Sequence, residues 1–572
     1  MTVRIITRFF LTVVAIGACT SGKQVITPVS IDAFKYSIQK KVVCSTGAVV
    51  SAHPLASEVG LQILKMGGNA IDASIATQLA LAVVYPGAGN IGGGGFLVAH
   101  LADGRSIAID YREKAPGRAV RDMYLDEKGN ANTLLSQDAH LAAGVPGTVA
   151  GLFASMKYAR LPFRQLIQPA IELAEKGFVL TPAEARSLNS IQDEMNRFNT
   201  VIPIFVNGRG WKTGDTLIQK DLAHTLMRIR DKGRNGFYKG ETARLIEEEM
   251  KRGKGMITVK DLSDYKAKER KPVVFDYKGH LVITMPLPSS GGVLLPQMLK
   301  MLEDQPLKEY GFLSWQAVQL MTEIERRAYA DRGKYLGDVD YYKVPVKKLT
   351  SSEYARERMK DYSLNKAGNS KAVQAGMIAE SEETTHLSVY DQYGNAVSVT
   401  TTLNGGYGSR TVVGGAGFFL NNEMDDFSVK PGVPNMYGAV GGDANAIVPG
   451  KRMLSSMTPT IVLKNNKPYL VVGSPGGTTI ITSVFQTIVN MIDFEMNPED
   501  AVNKPKFHHQ WLPDEIWVER DFPRETREHL QKMGYSIRQR GQIGRTELIR
   551  ILPDGTIEAI ADKRGEDHAA GY

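Results

Sequence analysis

Apolar residues recur at helical spacing in several separate parts of the chain. Between residues 54 and 66, Leu55, Val59, Ile63 and Met66 fall on one helical face. Pro54 is tolerated in the first turn of such a helix, and the glycines at 67 and 68 end it. The same spacing predicts further helices over residues 71–84, 164–176, 221–232 and 314–329.

Alternating and β-branched residues predict strands, and these concentrate in the last third of the chain. The clearest pair is 384–390 and 396–402, joined by turn residues. If Tyr390 faces Ala396, then Thr384 lies opposite Thr402, and such residues are within about 5 Å at Cβ. Cross-strand threonine pairs are ordinary, so this register alone does not define a site. Other strands are predicted over 47–53, 96–100, 106–111, 460–463 and 469–472.

The segment just before Thr384 has a different character from the strand that it enters. Residues 369–383 read NSKAVQAGMIAESEE, a small, polar and acidic stretch that predicts an exposed segment. A self-cleaving precursor needs this arrangement, because the Thr384 hydroxyl could attack the carbonyl before it. The freed α-amine could then act as general base for the same hydroxyl. Its reference pKa near 8 suits neutral pH better than that of a lysine.

The motifs around this hairpin resemble those of the γ-glutamyltranspeptidase family of N-terminal-nucleophile hydrolases. In chain order they are GGNAIDA, GNIGGGGF, DYREKAP, GVPG, ADRGKYLGD, TTHLSV, TLN, LNNEMDDF, KPGVPNMYG, GGDANA, LSSM, SPGG and a terminal AGY. The resemblance extends over nearly everything after about residue 40. It implies an α+β fold, a four-layer αββα sandwich. It also implies a cut between Glu383 and Thr384, giving a large chain 41–383 and a small chain 384–572.

The resemblance assigns catalytic roles to matching residues. The implied catalytic residues are Thr384, Thr402, Gly476 and Gly477. Thr384 would be the nucleophile and Thr402 would hold it in position. The backbone N–H groups of the two glycines would stabilise the oxyanion, an effect for which one donor contributes about 3 kcal/mol.

The resemblance also assigns substrate-binding roles. The implied residues are Arg112, Asn404, Glu423, Asp426, Tyr437, Ser455 and Ser456. Arg112 and the two serines would hold the α-carboxylate of a γ-glutamyl group, because a guanidinium pairs with a carboxylate through two bonds. Asn404 and the two acids would hold its α-ammonium, and Tyr437 would close a lid. From the residues alone, a surface salt bridge between Arg112 and Glu113 is the competing interpretation.

The implied reaction transfers the γ-glutamyl group of glutathione and related compounds to water or to amino acid or peptide acceptors. It requires no metal or organic cofactor. Three alternatives remain at this point: another amidase of the superfamily, such as a cephalosporin acylase-like enzyme or a capsule-processing transpeptidase; a membrane-tethered binding protein without catalysis; and a serine hydrolase. The last is disfavoured because the sequence holds no G-x-S-x-G elbow.

The first 19 residues have the pattern of a secretory signal. Arg4 and Arg8 precede a short apolar run from Phe9 to Ala18, and Cys19 follows it. This run is too short to span a bilayer. The residues before Cys19 resemble a bacterial lipoprotein cleavage box, which predicts a lipid on Cys19 and a location in the periplasm or cell envelope. Cleavage without a lipid is the alternative. Residues 20–40 are predicted to be a polar tether. Cys44 is the only other cysteine, so no internal disulfide is expected.

Composition and two further motifs argue against nucleic-acid, dinucleotide and metal binding. The chain of 572 residues has 43% hydrophobic and 23% charged residues, as globular proteins do. Its net charge of +8 is spread along the sequence, so no nucleic-acid partner is predicted. The G-x-G-x-x-G match at 87–92 follows a predicted helix and precedes a strand, the reverse of a dinucleotide site. Its glycines are instead expected to allow a tight turn and close backbone packing. His508 and His509 would face opposite sides of a strand, which argues against a metal site.

Overall fold

The structure is a computed structural model that describes residues 31–373, 384–430 and 442–572. The predicted signal with Cys19, the scissile residue Glu383 and the lid residue Tyr437 lie outside the described residues, as does the first half of the predicted tether. In the described parts, no helix combines the length and apolarity that a membrane crossing needs.

The described chain alternates between helices and strands along most of its length. The strands are β1 (Lys41–Cys44), β2 (Ala48–Ser51), β3 (Gly94–His100), β4 (Ser106–Asp110), β5 (Phe178–Val179), β6 (Thr216–Leu217), β7 (Lys268–Arg270), β8 (Val273–Tyr277), β9 (His280–Thr284), β10 (Thr384–Tyr390), β11 (Ala396–Thr402), β12 (Thr460–Lys464), β13 (Lys467–Gly473), β14 (Phe507–His508), β15 (Ile516–Val518), β16 (Ile537–Gln539), β17 (Glu547–Ile551), β18 (Ile557–Ile560) and β19 (His568–Gly571). The α-helices are α1 (Pro54–Lys65), α2 (Ala70–Val84), α3 (Leu134–Gln137), α4 (Thr148–Ser155), α5 (Phe163–Lys176), α6 (Pro182–Ser190), α7 (Gln192–Phe198), α8 (Lys220–Lys232), α9 (Asn235–Tyr238), α10 (Gly240–Gly253), α11 (Val259–Asp264), α12 (Gly291–Leu302), α13 (Leu307–Tyr310), α14 (Trp315–Tyr335), α15 (Val346–Leu349), α16 (Ser352–Arg358), α17 (Thr479–Ile492), α18 (Pro498–Asn503) and α19 (Arg524–Lys532).

Two seven-stranded antiparallel sheets form the centre of the molecule. The nucleophile sheet, which we name for the predicted nucleophile Thr384, has the strand order β19-β2-β10-β11-β3-β4-β7. The facing sheet has the order β1-β18-β17-β13-β12-β9-β8. Strands β10 and β11 therefore lie in the interior of their sheet, with neighbours on both sides.

Three hydrophobic cores separate four layers. Between the sheets, Val50 and Val98 of the nucleophile sheet pack in one cluster with Ile461, Val471 and Ile549 of the facing sheet. Helices α1, α2 and α5 cover the outer face of the nucleophile sheet. Helices α12, α14 and α17 cover the outer face of the facing sheet. Because each sheet is buried on both faces, the result is the expected αββα sandwich.

The predicted elements agree with the structure apart from small shifts at their ends. Helix α2 begins one residue early because Asn69 and Asp72 form a reciprocal capping box. Helix α14 runs six residues past its predicted end at Tyr329, to Tyr335. The predicted register is confirmed, with Tyr390 opposite Ala396 and Thr384 opposite Thr402.

Candidate active site

The nucleophile candidate lies at the first position of a central strand. Thr384 is only 6% exposed, and its hydroxyl donates to the Thr402 hydroxyl over 3.4 Å. The Asn404 N–H in turn donates to the Thr402 hydroxyl at 2.8 Å. This bond requires a sharp turn directly after β11, where Asn404 has a φ of +75°. The Thr402 oxygen is thus fixed from two sides at a long hydrogen-bonding distance from Thr384.

The glycine-rich stretch after α2 supports β11. The Asn90 side-chain amide donates to the Thr402 carbonyl at 2.9 Å and to the Thr401 hydroxyl at 3.2 Å. A Cβ on Gly93 would lie 2.1 Å from the Thr402 carbonyl oxygen, so only glycine fits there. The expectation of close backbone packing is confirmed, and the order of elements around this stretch is helix then strand. The stretch therefore positions Thr402.

Gly476 and Gly477 lie in the loop between β13 and α17. Their φ angles are +132° and +60°, which other residues rarely adopt. Gly476 lines a small cavity together with Thr384. Helix α17 begins at Thr479, so the two glycines lie at the N-terminus of a 14-residue helix. A helix N-terminus presents backbone N–H groups and favours negative charge.

Arg112 is the centre of a buried charge cluster. It is 1% exposed and forms ion pairs with Glu423, at 2.5 Å between Nη1 and Oε2, and with Asp426. Its Nη2 also donates to the Leu454 carbonyl at 3.2 Å, directly before Ser455. A surface salt bridge is therefore excluded as the explanation of Arg112.

The neighbouring loops bring the other predicted residues to the same cluster. Asn404 donates through its side chain to the Asn422 carbonyl at 3.1 Å, one residue before Glu423. Asn422 accepts the Gly405 N–H at 2.8 Å on its own side chain. Glu423 and Asp426 bound a single 3-10 turn, which places both carboxylates beside Arg112.

The paired serines are held by a residue that the sequence did not single out. Arg332 donates from Nη2 to the Ser456 hydroxyl at 3.1 Å and from Nε to the Ser290 hydroxyl at 2.9 Å. The Ser290 N–H bonds the Ser455 carbonyl at 2.7 Å. Arg332 lies in the motif ADRGKYLGD, but a sequence motif does not show that it contacts a serine more than a hundred positions away.

Burial changes the protonation of the groups nearest the site. Burial raises the pKa of Glu113 to about 8, and the adjacent Arg112 only partly opposes this shift. Glu113 is therefore protonated at neutral pH. The charged cluster then holds one guanidinium and two carboxylates, a formal charge of −1.

Three buried histidines are neutral at physiological pH. Burial lowers the pKa of His386 to about 3, and its ring bonds the hydroxyls of Thr400 and Ser388. Burial likewise lowers the pKa of His508 to about 3 and that of His509 to about 4. These low pKa values make each of the three a poor proton acceptor at neutral pH.

Comparison with known proteins relates this chain to acylases, one of which is described as a proenzyme. The fold matches the crystal structure of the cephalosporin acylase from Bacillus halodurans with a TM-score of 0.82, at 27% identity over 95% of this chain and 99% of that one. The acylase ACY 1 proenzyme of Pseudomonas sp. (strain V22) is 35% identical, over 92% of this chain and 94% of its own length.

The particular family follows from two further matches. The family model described as gamma-glutamyltranspeptidase matches residues 56–572. The glutathione hydrolase proenzyme of Escherichia coli (strain K12) is 46% identical over 575 aligned residues, which cover 98% of this chain and 99% of that protein. The chain belongs to the γ-glutamyltranspeptidase family.

Proposed function

We propose that the protein is a γ-glutamyltransferase and glutathione γ-glutamate hydrolase that activates itself by cleavage before Thr384. The main support is the position of Thr384: it opens a central strand, opposite Thr402 and beside the Gly476 loop. The family, and a relative named as a proenzyme, support processing of one precursor into two chains.

Self-cleavage uses the Thr384 hydroxyl on the peptide bond before it. The oxygen attacks the Glu383 carbonyl carbon, the C–N bond breaks, and the Thr384 nitrogen takes the proton. Water then hydrolyses the resulting ester. The products are a Glu383 carboxylate, a free hydroxyl and a new α-amine on the same residue. The α-amine that serves as base therefore exists only after the C–N bond before Thr384 has broken.

Turnover repeats the attack on a γ-glutamyl substrate. The α-amine takes the hydroxyl proton while the oxygen attacks the γ-carbonyl carbon. The N–H groups of Gly476 and Gly477 stabilise the oxyanion. The bond to the leaving amine breaks, the amine takes the proton, and a γ-glutamyl ester remains on Thr384. Water, or the amine of an amino acid or peptide, then takes the acyl group.

The charge cluster fits the α-amino acid end of such a substrate. Arg112 faces the α-carboxylate, together with the hydroxyls of Ser455 and Ser456. The α-ammonium lies against Glu423 and Asp426, with Asn404 beside them. A substrate without both groups would leave buried charges poorly paired, which is costly. Tyr437 is proposed to close the pocket.

Replacing the nucleophile tests the proposal directly. We expect Thr384→Ala to remain one band on a denaturing gel and to release no glutamate from glutathione. N-terminal sequencing of the smaller wild-type fragment should begin at Thr384. A Thr384→Ala protein that still matures and turns over glutathione normally would contradict the mechanism. A wild-type protein that stays uncleaved would favour a binding protein without catalysis.

An acylase acting on glutaryl amides is the second candidate, because two of the matched proteins are named as acylases. The buried Arg112 with Glu423 and Asp426 disfavours it, since a glutaryl group carries no α-ammonium. Purified enzyme should release p-nitroaniline from γ-glutamyl-p-nitroanilide. Activity on glutaryl amides alone would overturn the γ-glutamyl assignment.

We also propose that the protein is exported to the periplasm or cell envelope and carries a lipid on Cys19. The support is the charged and apolar pattern of residues 1–19. Labelled palmitate should enter the wild-type protein but not Cys19→Ala. Equal labelling of both would argue against the anchor.

A further inference from the structure

Two neighbouring cavities lie near Thr384, and Thr384 lines the smaller of them. The smaller has a volume of about 90 Å³ and is lined by Tyr85, Thr384, Pro475, Gly476, Gln542, Gly544 and Arg545. The larger has a volume of about 690 Å³, and Tyr85 and Arg545 also line it. The two shared residues make the cavities neighbours. The larger one has the size of a small-molecule site, about 300–1,000 Å³, whereas the smaller holds only a few atoms.

The larger cavity lies outside the γ-glutamyl cluster and its lining is rich in arginine. Neither cavity is lined by Arg112 or by the residues around it. The charged residues lining the larger cavity are Glu184, Arg186, Arg410, Arg545, Arg564 and Glu566. Three of the four arginines also pair with carboxylates outside the lining, so their charges are balanced, but their N–H groups still suit a carboxylate ligand.

Arg545 is hydrogen-bonded to the loop that carries Gly476 and Gly477. Its backbone N–H donates to the Ser474 hydroxyl at 2.8 Å, two residues before Gly476. Its side chain is 16% exposed and donates from Nη2 to the Tyr85 hydroxyl at 3.1 Å. Its Nε lies 2.9 Å from Asp567, an ion pair without hydrogen-bond geometry. The guanidinium is therefore fixed at the boundary between the cavities.

Two acidic side chains lie near the Arg545 guanidinium. Burial, reinforced by the nearby Asp567 carboxylate, raises the pKa of Glu547 well above its usual value. Asp567 is the carboxylate that forms an ion pair with the guanidinium, through Nε. A guanidinium has five N–H donors, and the contacts named within the described residues involve Nε and Nη2.

We propose that Arg545 binds the carboxylate of the peptide that leaves from, or attacks, the γ-glutamyl ester, with the larger cavity holding the rest of that peptide. This inference rests on the proposed function. The cysteinylglycine part of glutathione ends in such a carboxylate. Arginine suits this role because its planar fork matches a carboxylate. Arg545 thus sets a preference for acidic leaving groups and acceptors.

Glutathione and its C-terminal amide test the inference, because they differ only in this carboxylate. For the wild type we expect kcat/KM for glutathione to exceed that for the amide about tenfold, as one charge-assisted bond provides. In Arg545→Gln the ratio should fall to about one. The ratio does not depend on how much of the enzyme is folded or processed. The same preference should appear for acceptors: glycylglycine should be used better than glycylglycinamide by the wild type, and about equally well by Arg545→Gln.

Arg550→Gln is the matched control. Arg550 lies on β17, five positions further along, and pairs with Glu558. It lines neither cavity. Its removal should leave the tenfold ratio unchanged.

Two outcomes would overturn the inference: a wild type with equal kcat/KM for both substrates, or an Arg545→Gln variant with the wild-type ratio. If Arg545→Gln does not self-process, Arg545→Lys decides, because lysine keeps the charge and loses the fork. In Arg545→Lys, a kcat/KM for glutathione that exceeds that for the amide about threefold supports the inference. The wild-type ratio of about tenfold in this variant contradicts it. A wild type that turns over neither substrate would instead refute the proposed function.

Discussion

At the scale of single residues, the site depends on charges that burial has altered. Arg112 is buried against two carboxylates, and beside it Glu113 is fully buried. The three acids differ in role because Glu423 and Asp426 pair closely with the guanidinium, whereas Glu113 lies 3.5 Å from it. Burial keeps Glu113 protonated, with a pKa of about 8. With Glu113 uncharged, Glu423 and Asp426 are the carboxylates that balance the charge of Arg112.

Glu113 should make stability depend on pH with a defined sign. The pKa of Glu113 is raised in the folded state. Its contribution to the free energy of unfolding is therefore fully present below pH 4.5 and is lost as the pH rises towards 8. Glu113→Gln does not titrate. Relative to wild type, its free energy of unfolding should therefore increase between pH 4.5 and 8, by about 2 to 4 kcal/mol.

Urea unfolding at several pH values measures this difference. Both proteins should carry Thr384→Ala, so that one chain unfolds in each case. A difference between the two proteins that stays constant from pH 4.5 to 8 would show that Glu113 is charged in the folded protein.

At the scale of elements, the site depends on how strands end. Strand β10 begins with the proposed nucleophile Thr384, β11 ends with Thr402, and β13 ends in the loop that leads to α17. The loop can approach Thr384 because its glycines have positive φ angles. A Cβ on Gly476 would also lie 2.4 Å from the Thr479 hydroxyl oxygen. This loop geometry, rather than any side chain, supplies the proposed oxyanion donors.

Gly476→Ala should therefore damage catalysis more than folding. The added Cβ displaces the loop, and misplaced oxyanion donors lower kcat by about 100-fold. The measurement is kcat for γ-glutamyl-p-nitroanilide on protein that has been processed.

Gly555→Ala is the control for backbone strain. Gly555 has a φ of +89° in the turn between β17 and β18, and nothing lies within 4 Å of its would-be Cβ. This variant should lose about 1 kcal/mol of stability and keep its kcat. Equal losses of kcat in the two variants would indicate that strain alone, and not donor position, explains the effect.

At the scale of the whole molecule, the predicted cut divides both sheets between two chains. In the nucleophile sheet, β2 of the large chain lies between β19 and β10 of the small chain. In the facing sheet, β1 and β9 of the large chain flank the four strands of the small chain. Separating the chains would break strand pairs in both sheets and expose all three cores.

The processed chains should consequently stay together. On native size-exclusion chromatography we expect one peak, which yields two bands on a denaturing gel and elutes with the uncleaved Thr384→Ala protein. Thermal unfolding should be a single transition. Release of either fragment without denaturant would contradict this interlocked arrangement.

The sequence by itself determined the hairpin register, five of the nineteen α-helices in the described residues, and the family motifs. Strand alternation and turn residues are local, so 384–390 and 396–402 could be paired by counting. The glycine-rich stretch at 87–92 was correctly assigned to close packing, because its neighbours were a helix and a strand in the wrong order for a nucleotide site.

Only the tertiary structure decided which distant residues meet. Arg332 holds Ser456, Asn90 holds Thr402, and Arg545 joins the loop before Gly476. Each contact joins positions separated by tens to hundreds of residues, and no local pattern encodes such a distance. Burial, too, is set by the assembled layers, so the protonation of Glu113 and the neutrality of His386 followed only from the packing of the two sheets.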